Sequence, residues 1–128
     1  MTLLLDTHVL LWWFFDDPRL STAARTAIAD RTNTIYVSSA SAWEIAIKFR
    51  LGRLPEATEA VHQLPELLSL AGFNTLSIEV THAVAAGLLN AQHRDPFDRM
   101  LMAQAAVDGL TLVTQDTAIT DAFANTLW

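Results

Sequence analysis

Short, continuous apolar runs along the chain are typical of buried β-strands. These runs are rich in leucine or in β-branched residues, and they are too short to form helices. Continuous apolar strands of this kind belong in a parallel sheet that is covered on both faces. The predicted strands are Leu3–Leu5, Thr34–Ser38, Thr75–Ile78 and Leu110–Thr114, with the terminal Thr126–Trp128 as a candidate for a fifth.

Longer segments between these runs carry apolar residues at helical spacing. The predicted helices are Ser21–Arg31, Ala42–Leu51 ending at Gly52, a helical hairpin over Pro55–Ala71 whose second helix opens at Pro65, Val80–Asn90, and Pro96–Asp108 stopped by Gly109. Strands and helices therefore alternate along the chain. This order predicts one domain over residues 1–128, an α/β fold in the form of a three-layer α/β/α sandwich with a parallel sheet of four or five strands.

The segment Val9–Phe15 (VLLWWFF) departs from this amphipathic pattern, because it is apolar around the whole circumference of a helix. Either it is buried on two sides within the domain, or one side meets another chain. Hydrophobic residues make up 52% of the sequence, more than the roughly 45–50% of ordinary soluble domains. Because interface cores favour tryptophan and phenylalanine, we expect a partner surface here.

The composition limits the chemistry that the chain can support. It contains no cysteine, so any metal ion must be held by oxygen or imidazole ligands. The net charge of −6 argues against broad, non-specific attraction to nucleic acid. The apolar opening is interrupted by Asp6 and His8 and lacks a preceding lysine or arginine, which predicts a cytoplasmic protein without a membrane anchor.

Four acidic residues stand at the ends of predicted elements, and each has a simple explanation as a helix cap. Asp6 follows the first strand, and Asp116 precedes a short helix over Thr117–Ala122. Ser41 and Glu44 fit the capping-box pattern, in which the glutamate reaches back to the serine amide. The stretch from Asp95 to Asp98 resembles the same box, with a proline at the first helical position.

Taken together, the four acids indicate a metal site. In a parallel α/β sheet the carboxyl ends of strands and the amino ends of crossover helices lie at one edge, where such sheets bind ligands. Carboxylates gathered there repel one another unless a cation lies among them. Oxygen ligands favour Mg²⁺ or Mn²⁺ over zinc. Such an ion can activate water and neutralise a phosphoryl group, so the sequence predicts metal-assisted phosphodiester hydrolysis.

At these residues the chain resembles PIN-domain toxins of the VapC-like group. Four successive segments carry the resemblance from residue 3 to residue 116: LLLDTHVLLWW, SSASAWEIAIKFRLGRL, HRDPFDRMLMAQA and GLTLVTQD. The resemblance implies a PIN-like α/β/α fold and a homodimer. It also implies Mg²⁺- or Mn²⁺-dependent endoribonuclease activity and inhibition by a cognate antitoxin. RNA as the substrate follows from the resemblance alone, because the acids do not distinguish RNA from DNA.

The same resemblance assigns roles to the acids, motif by motif. Asp6 and Asp98 would be direct metal ligands, and Asp116 a ligand at a looser or second site. Glu44 would orient or deprotonate the attacking water. Between the two neighbouring acids on one helical face, we favour Asp98 as the ligand and Asp95 as the cap.

Several other polar residues are candidates for supporting roles. Thr7 and Thr114 could hydrogen-bond the carboxylates, or could simply be polar ends of strands. The histidines are scattered without metal-ligand spacing; His93 could approach the site, but the sequence indicates no role for it. The candidates for contacts with RNA phosphates are Lys48, Arg50, Arg53, Arg94 and Arg99. Equally, Lys48 could pair with Glu44 within its helix, and the arginines could simply be solvated.

Two other functions compete with the nuclease hypothesis. An aspartyl phosphatase or phosphotransferase commonly has a second acid two residues after its nucleophile, where this chain has His8. A non-catalytic module that keeps the fold is the second rival, and the presence of all four acids weighs against it.

Overall fold

The computed structural model describes residues 1–54, 58–90 and 92–128. Over these residues strands and helices alternate as the sequence predicts. The elements are β1 (Thr2–Leu5), α1 (Thr7–Phe14), α2 (Thr22–Ala29), β2 (Thr34–Ser38), α3 (Ser39–Arg50), α4 (Thr58–His62), α5 (Leu64–Leu70), β3 (Asn74–Leu76), α6 (Val80–Leu88), α7 (Pro96–Asp108), β4 (Thr111–Val113), α8 (Thr117–Ala122) and β5 (Thr126–Leu127).

The strands form one parallel sheet in the order β3-β2-β1-β4-β5. The central strand β1 pairs with β2 on one side and with β4 on the other. Along the chain, β2 and β3 extend the sheet on one side of β1, and β4 and β5 then extend it on the other side. This reversal creates a crevice at the carboxyl ends of β1 and β4, the place where open α/β sheets bind ligands.

Alternate side chains of the strands enter two separate cores. Leu3 and Leu5 of β1 pack in one core with residues from α1, α2, α3 and α5, whereas Leu4 packs in the other with residues from α7 and α8. Both cores are buried, which is the three-layer arrangement that the sequence predicts.

Most predicted boundaries are confirmed within a few residues. Helix α7 spans Pro96–Asp108 as predicted, and Gly109 ends it in the left-handed conformation with φ of 68°. The predicted hairpin appears as α4 and α5 with Pro65 in the first turn of α5, while its beginning at residues 55–57 lies outside the described residues.

The apolar segment Val9–Phe15 is buried within the domain on one side and partly exposed on the other. Val9, Leu10 and Trp12 belong to the first core, and the intervening large side chains are partly buried against it. Trp13 packs against Phe73 with ring centroids 6.2 Å apart. Leu11, Trp13 and Phe14 are only partly buried in the single chain, so the expectation of a partner surface on this segment stays a prediction.

No helix of the described residues is long and apolar enough to cross a membrane.

Candidate metal centre at the switch point of the sheet

The carboxyl ends of β1 and β4 bring Asp6 close to Asp116. Leu5 lies opposite Val113 in the sheet, and the Asp6 amide donates a hydrogen bond to the Val113 carbonyl at 3.0 Å. Asp6 thus stands one residue beyond β1, at the start of α1. Asp6 occupies the N-cap position of α1, but the hydrogen bond to its side chain comes from Thr114 and not from the first turn of the helix.

Thr114 connects the two acids. Its buried hydroxyl donates to Asp6 Oδ2 at 2.8 Å and accepts from the backbone N–H of Asp116 at 3.0 Å. Burial raises the pKa of Asp6, and the hydrogen bond from Thr114 opposes that increase. The predicted hydrogen bond from Thr114 to a carboxylate is confirmed. Thr7 behaves differently, because its hydroxyl donates to Ser41 Oγ at 2.9 Å instead of to an acid.

His93, Asp98 and Asp116 form a cluster that could hold a metal ion. One ligand atom from each lies within 4.8 Å of the others. His93 Nε2 lies 2.9 Å from Asp98 Oδ2, but without the alignment of a hydrogen bond, and this buried nitrogen has no hydrogen-bond partner. On the other side of the ring, His93 Nδ1 accepts from the Asp95 N–H at 3.4 Å. The ring is therefore held from behind and directs Nε2 at the acids.

The carboxylates also act on one another electrostatically. The pKa of Asp98 is raised from 3.8 to about 8. Burial is the main cause, and the negative charge of neighbouring carboxylates adds to it. Those neighbours are Asp6, Asp95, Asp116 and Glu44. Acids from distant parts of the sequence thus meet around Asp98, as the sequence predicts.

Glu44 enters the site from the second turn of α3. The helix begins at Ser39, and the Ser38 hydroxyl caps it by accepting from the Ala40 N–H at 3.0 Å. The predicted capping box at Ser41, with Glu44 in the first turn, is therefore wrong because the serine at the end of β2 caps the helix three residues earlier. Glu44 is only 4% exposed.

The two oxygens of Glu44 have different surroundings. Oε2 accepts from Lys48 Nζ at 2.7 Å, one helical turn along α3. Oε1 is buried and has no hydrogen-bond partner. A buried carboxylate oxygen without a partner is costly, so it indicates a place where a hydrogen-bond donor or a cation fits.

The remaining acids combine capping with a place at the site. Asp95 Oδ1 accepts from the backbone N–H groups of Phe97 at 2.9 Å and Asp98 at 3.2 Å, which confirms it as the cap of α7. Asp116 Oδ1 accepts from the Ala118 N–H at 2.9 Å and caps α8. Asp116 therefore serves as a cap and as a member of the cluster, whereas the Asp95 side chain is engaged by its helix.

These side chains fit a hard divalent cation. They supply several carboxylate oxygens and one imidazole nitrogen. Two of these atoms, Glu44 Oε1 and His93 Nε2, are buried and make no hydrogen bond. Asp6 and Asp116 also line a cleft of about 430 Å³ that leads to the site. The acids therefore lie where an ion and a substrate could both reach them.

The PIN-domain family model matches residues 3–123 of the chain. The chain belongs to the PIN-domain family. Two similar curated proteins, both from Mycobacterium tuberculosis, are named ribonucleases. VapC22 is 33% identical over 118 residues, which are 90% of this chain and 87% of that protein. VapC16 is 39% identical over 69 residues, so the match covers about half of each protein, 51% of this chain and 49% of that one.

Solved structures share the fold of this PIN domain. One is the crystal structure of VapBC2 from Rickettsia felis bound to a DNA fragment from its promoter. It has a TM-score of 0.70 at 16% identity, and the match covers 99% of this chain and 96% of that chain. A toxin-antitoxin complex from Klebsiella pneumoniae has a TM-score of 0.66 at 20% identity, covering 98% and 95%. These likenesses establish the PIN-like α/β fold.

The basic residues near the site of this PIN domain fall into two groups. Lys48 is paired with Glu44, the arrangement that a helix pair predicts. Arg50, Arg53 and Arg94 are exposed. Arg94 stands on the wall of a polar cleft of about 770 Å³ together with His93. Of these exposed arginines, the structure places Arg94 beside His93.

Arg99 is directed inward to the backbone. Its guanidinium donates to the carbonyl oxygens of Ala86 at 2.9 Å, Leu89 at 2.8 Å and His93 at 3.0 Å. These hydrogen bonds connect the end of α6 to the loop that carries His93. The structure thus gives Arg99 a role in positioning the loop, where the sequence predicts a phosphate contact.

Two site residues were missed by sequence reasoning. His93 lies five residues before Asp98 in the segment HRDPFD, and that proximity was its only signal. Arg19 lines the same cleft as Asp6 and Asp116. Its guanidinium lies 5.1 Å from the centre of the Trp12 ring and pairs with Asp17 at 2.7 Å. Nothing in the sequence places this arginine near the acids.

Proposed function

We propose that this PIN domain is a Mg²⁺- or Mn²⁺-dependent endoribonuclease that hydrolyses RNA phosphodiester bonds with an activated water. The main support is the convergence of acids from β1, α3, α7 and β4 on one point of the sheet. Burial, followed by the negative charge of these neighbouring acids, raises the pKa of Asp98 to about 8. Carboxylates crowded to this degree favour a bound cation over the metal-free state.

Asp98 and Asp116 would hold the ion, with His93 close enough to contribute its Nε2. Asp6, whose negative charge acts on Asp98, would join them from the end of β1. A divalent cation bound there supplies an activated water and offsets the charge that develops on the phosphoryl group. Thr114 fixes the orientation of Asp6 through its hydroxyl. Arg99 holds the loop of His93 against α6, so the nitrogen ligand is presented from a fixed backbone.

Glu44 has the right environment for handling the proton of the attacking water. Lys48 holds Oε2 in a fixed orientation, which leaves Oε1 as a buried acceptor without a protein partner. An acceptor of this kind can orient a water molecule and take its proton as the phosphodiester bond breaks. The leaving oxygen then needs a proton from solvent, which the open cleft admits.

Family membership supports RNA as the substrate and a toxin as the biological role. Two curated relatives are named ribonucleases, and a structural neighbour is a toxin-antitoxin complex. We infer that the chain is the toxin of a toxin-antitoxin pair, that it acts in the cytoplasm as a homodimer, and that a cognate antitoxin inhibits it.

The proposal is tested by measuring cleavage of purified bacterial RNA. The metal-free protein should be inactive, and added Mg²⁺ or Mn²⁺ should restore cleavage. Asp98→Asn should remain inactive with either ion, whereas Asp121→Asn, an exposed acid at the end of α8, should cleave like the unchanged protein. Cleavage that persists in EDTA would remove the metal from the mechanism.

Expression in bacteria tests the toxin role separately. The unchanged chain should arrest growth, and Asp6→Asn or Asp98→Asn should relieve the arrest at equal protein levels. If all three chains are equally harmless, the toxin assignment is wrong even if RNA is cleaved in vitro.

A further inference from the structure

Trp43 presents an exposed aromatic ring at the edge of the acid site. The residue is 62% exposed although it is large and apolar. Its ring meets the ring of Phe97 edge to face, with centroids 5.2 Å apart and planes at 74°. Because Phe97 is partly buried, it supports Trp43 from one side and leaves a face of the indole open to solvent.

The aromatic pair is built from the same two helices as the site. Trp43 directly precedes Glu44 on α3, and Phe97 directly precedes Asp98 on α7. The contact between the two rings therefore joins the helices at the level of the acids. The exposed indole thus lies one residue from Glu44 along α3 and against the residue that precedes Asp98 on α7.

The exposed face of α3 continues from Trp43 to a positive charge. Trp43, Ala46 and Arg50 are exposed at spacings of three and four residues, which places them on one side of the helix. Trp43 and Arg50 are roughly 10 Å apart along the helix axis. An aromatic face followed by a cation is the combination with which proteins bind single-stranded nucleic acid, one contacting a base and the other the backbone.

We propose that Trp43, supported by Phe97, is a stacking platform for an unpaired base of the RNA that enters the acid site. This inference rests on the proposed function, since it assigns a base-binding position to the same substrate. A second copy of the chain is the competing occupant of an exposed tryptophan. The isolation of one aromatic ring between a small side chain and an arginine fits a nucleotide better than an apolar contact between chains.

Binding is measured with the Glu44→Gln protein, so that cleavage does not consume the probe. One probe is a fluorescein-labelled pool of single-stranded RNA 12-mers of mixed sequence. The other is an abasic ribose-phosphate 12-mer, which carries the same phosphates without bases. In this background Trp43→Leu removes the aromatic face and Trp43→Phe keeps a smaller one. Leu70→Ala, which shortens an 85%-exposed side chain at the far end of α5, is the control.

Trp43→Leu should weaken RNA binding by roughly 5- to 150-fold, the range that a single stacked base contributes. It should leave binding of the abasic probe unchanged. Trp43→Phe should retain most of the affinity for RNA, and Leu70→Ala should change neither probe. Circular dichroism and thermal unfolding verify that each variant is folded.

Three results with the Trp43→Leu variant would overturn the stacking platform. One is an unchanged affinity of Trp43→Leu for RNA, and another is an equal loss for both probes. The third is a reduced molecular mass of Trp43→Leu in light scattering, which would make Trp43 a contact between copies. If the unchanged protein fails to cleave RNA but the Glu44→Gln protein still binds it through Trp43, the nuclease proposal fails and the platform stands. If RNA does not bind at all, the platform is wrong.

Discussion

The crowding of carboxylates around Asp98 predicts how the stability of the metal-free protein depends on pH. The pKa of Asp98 is about 8 in the folded state and near 3.8 when the chain is unfolded. Between these values the folded state binds a proton that the unfolded state has released, so the folded state loses stability as the pH rises. The loss begins near pH 4 and is complete above pH 8.

Asp98→Asn removes this penalty, and the difference is measurable by thermal unfolding in EDTA. The variant should unfold at about the same temperature as the unchanged protein near pH 4 and at a higher temperature at pH 9. Asp121→Asn serves as a control for the loss of an exposed acid. An equal difference at both pH values would show that Asp98 does not titrate in this way.

Glu44 and Lys48 differ in what their loss should do to the reaction. Glu44→Gln keeps the shape of the side chain but removes the acceptor for the proton of water. We expect its kcat for RNA cleavage to fall by roughly 100- to 10,000-fold. Lys48→Met should lower kcat less, because the lysine only orients the carboxylate. A larger loss in Lys48→Met than in Glu44→Gln would contradict these roles.

At the scale of elements, the amino end of α7 carries two acids with different roles: Asp95 caps the helix, and Asp98 is the proposed metal ligand. Asp95→Ala removes the cap and should reduce the free energy of unfolding by about 1 kcal/mol, whereas Asp95→Ser should keep most of it. Urea denaturation measures both values. Cleavage should persist in Asp95→Ala, since Asp98 carries the site; a loss as deep as that of Asp98→Asn would make Asp95 the ligand.

Helix α1 contributes Val9, Leu10 and Trp12 to the first core, and substitutions there should be costly. Trp12→Glu would remove a buried ring from the first core and should destabilise the protein by about 3–5 kcal/mol. Phe15→Glu lies at a position that is 41% exposed and should be tolerated. The soluble yield and the unfolding temperature distinguish the two. A folded Trp12→Glu protein of reduced mass would instead place Trp12 at a contact between chains.

The sequence predicts the elements well where local chemistry decides them. Pro96 and Gly109 bound α7 because each acts within its own turn. The start of α3 was missed because Ser38 and Ser41 are equivalent as caps in sequence, and only the end of β2 selects Ser38. The sequence pattern also could not predict what packs against Val9–Phe15, because a uniformly apolar helix does not reveal which protein surface covers it.

At the scale of the whole molecule, the order of the strands creates the site. The central position of β1, between β2 and β4, brings Asp6 beside residues that follow it by more than a hundred positions. The family motifs and the rule for strand ends identify the acids. His93 and Arg19 reach the site through loop conformation and tertiary packing, which leave no signal in spacing, so sequence reasoning could not assign them.

The proposed mechanism requires that Asp6, Asp98 and Asp116 hold one divalent cation together. Calorimetric titration of the metal-free protein with Mn²⁺ tests this requirement most directly. The unchanged protein should bind the ion, and Asp6→Asn, Asp98→Asn and Asp116→Asn should each weaken binding by roughly tenfold or more. Asp30→Asn, an exposed acid before β2, should bind like the unchanged protein. Binding that is unaffected by all three site substitutions, or no binding by the unchanged protein, would contradict a single metal centre built from both ends of the chain.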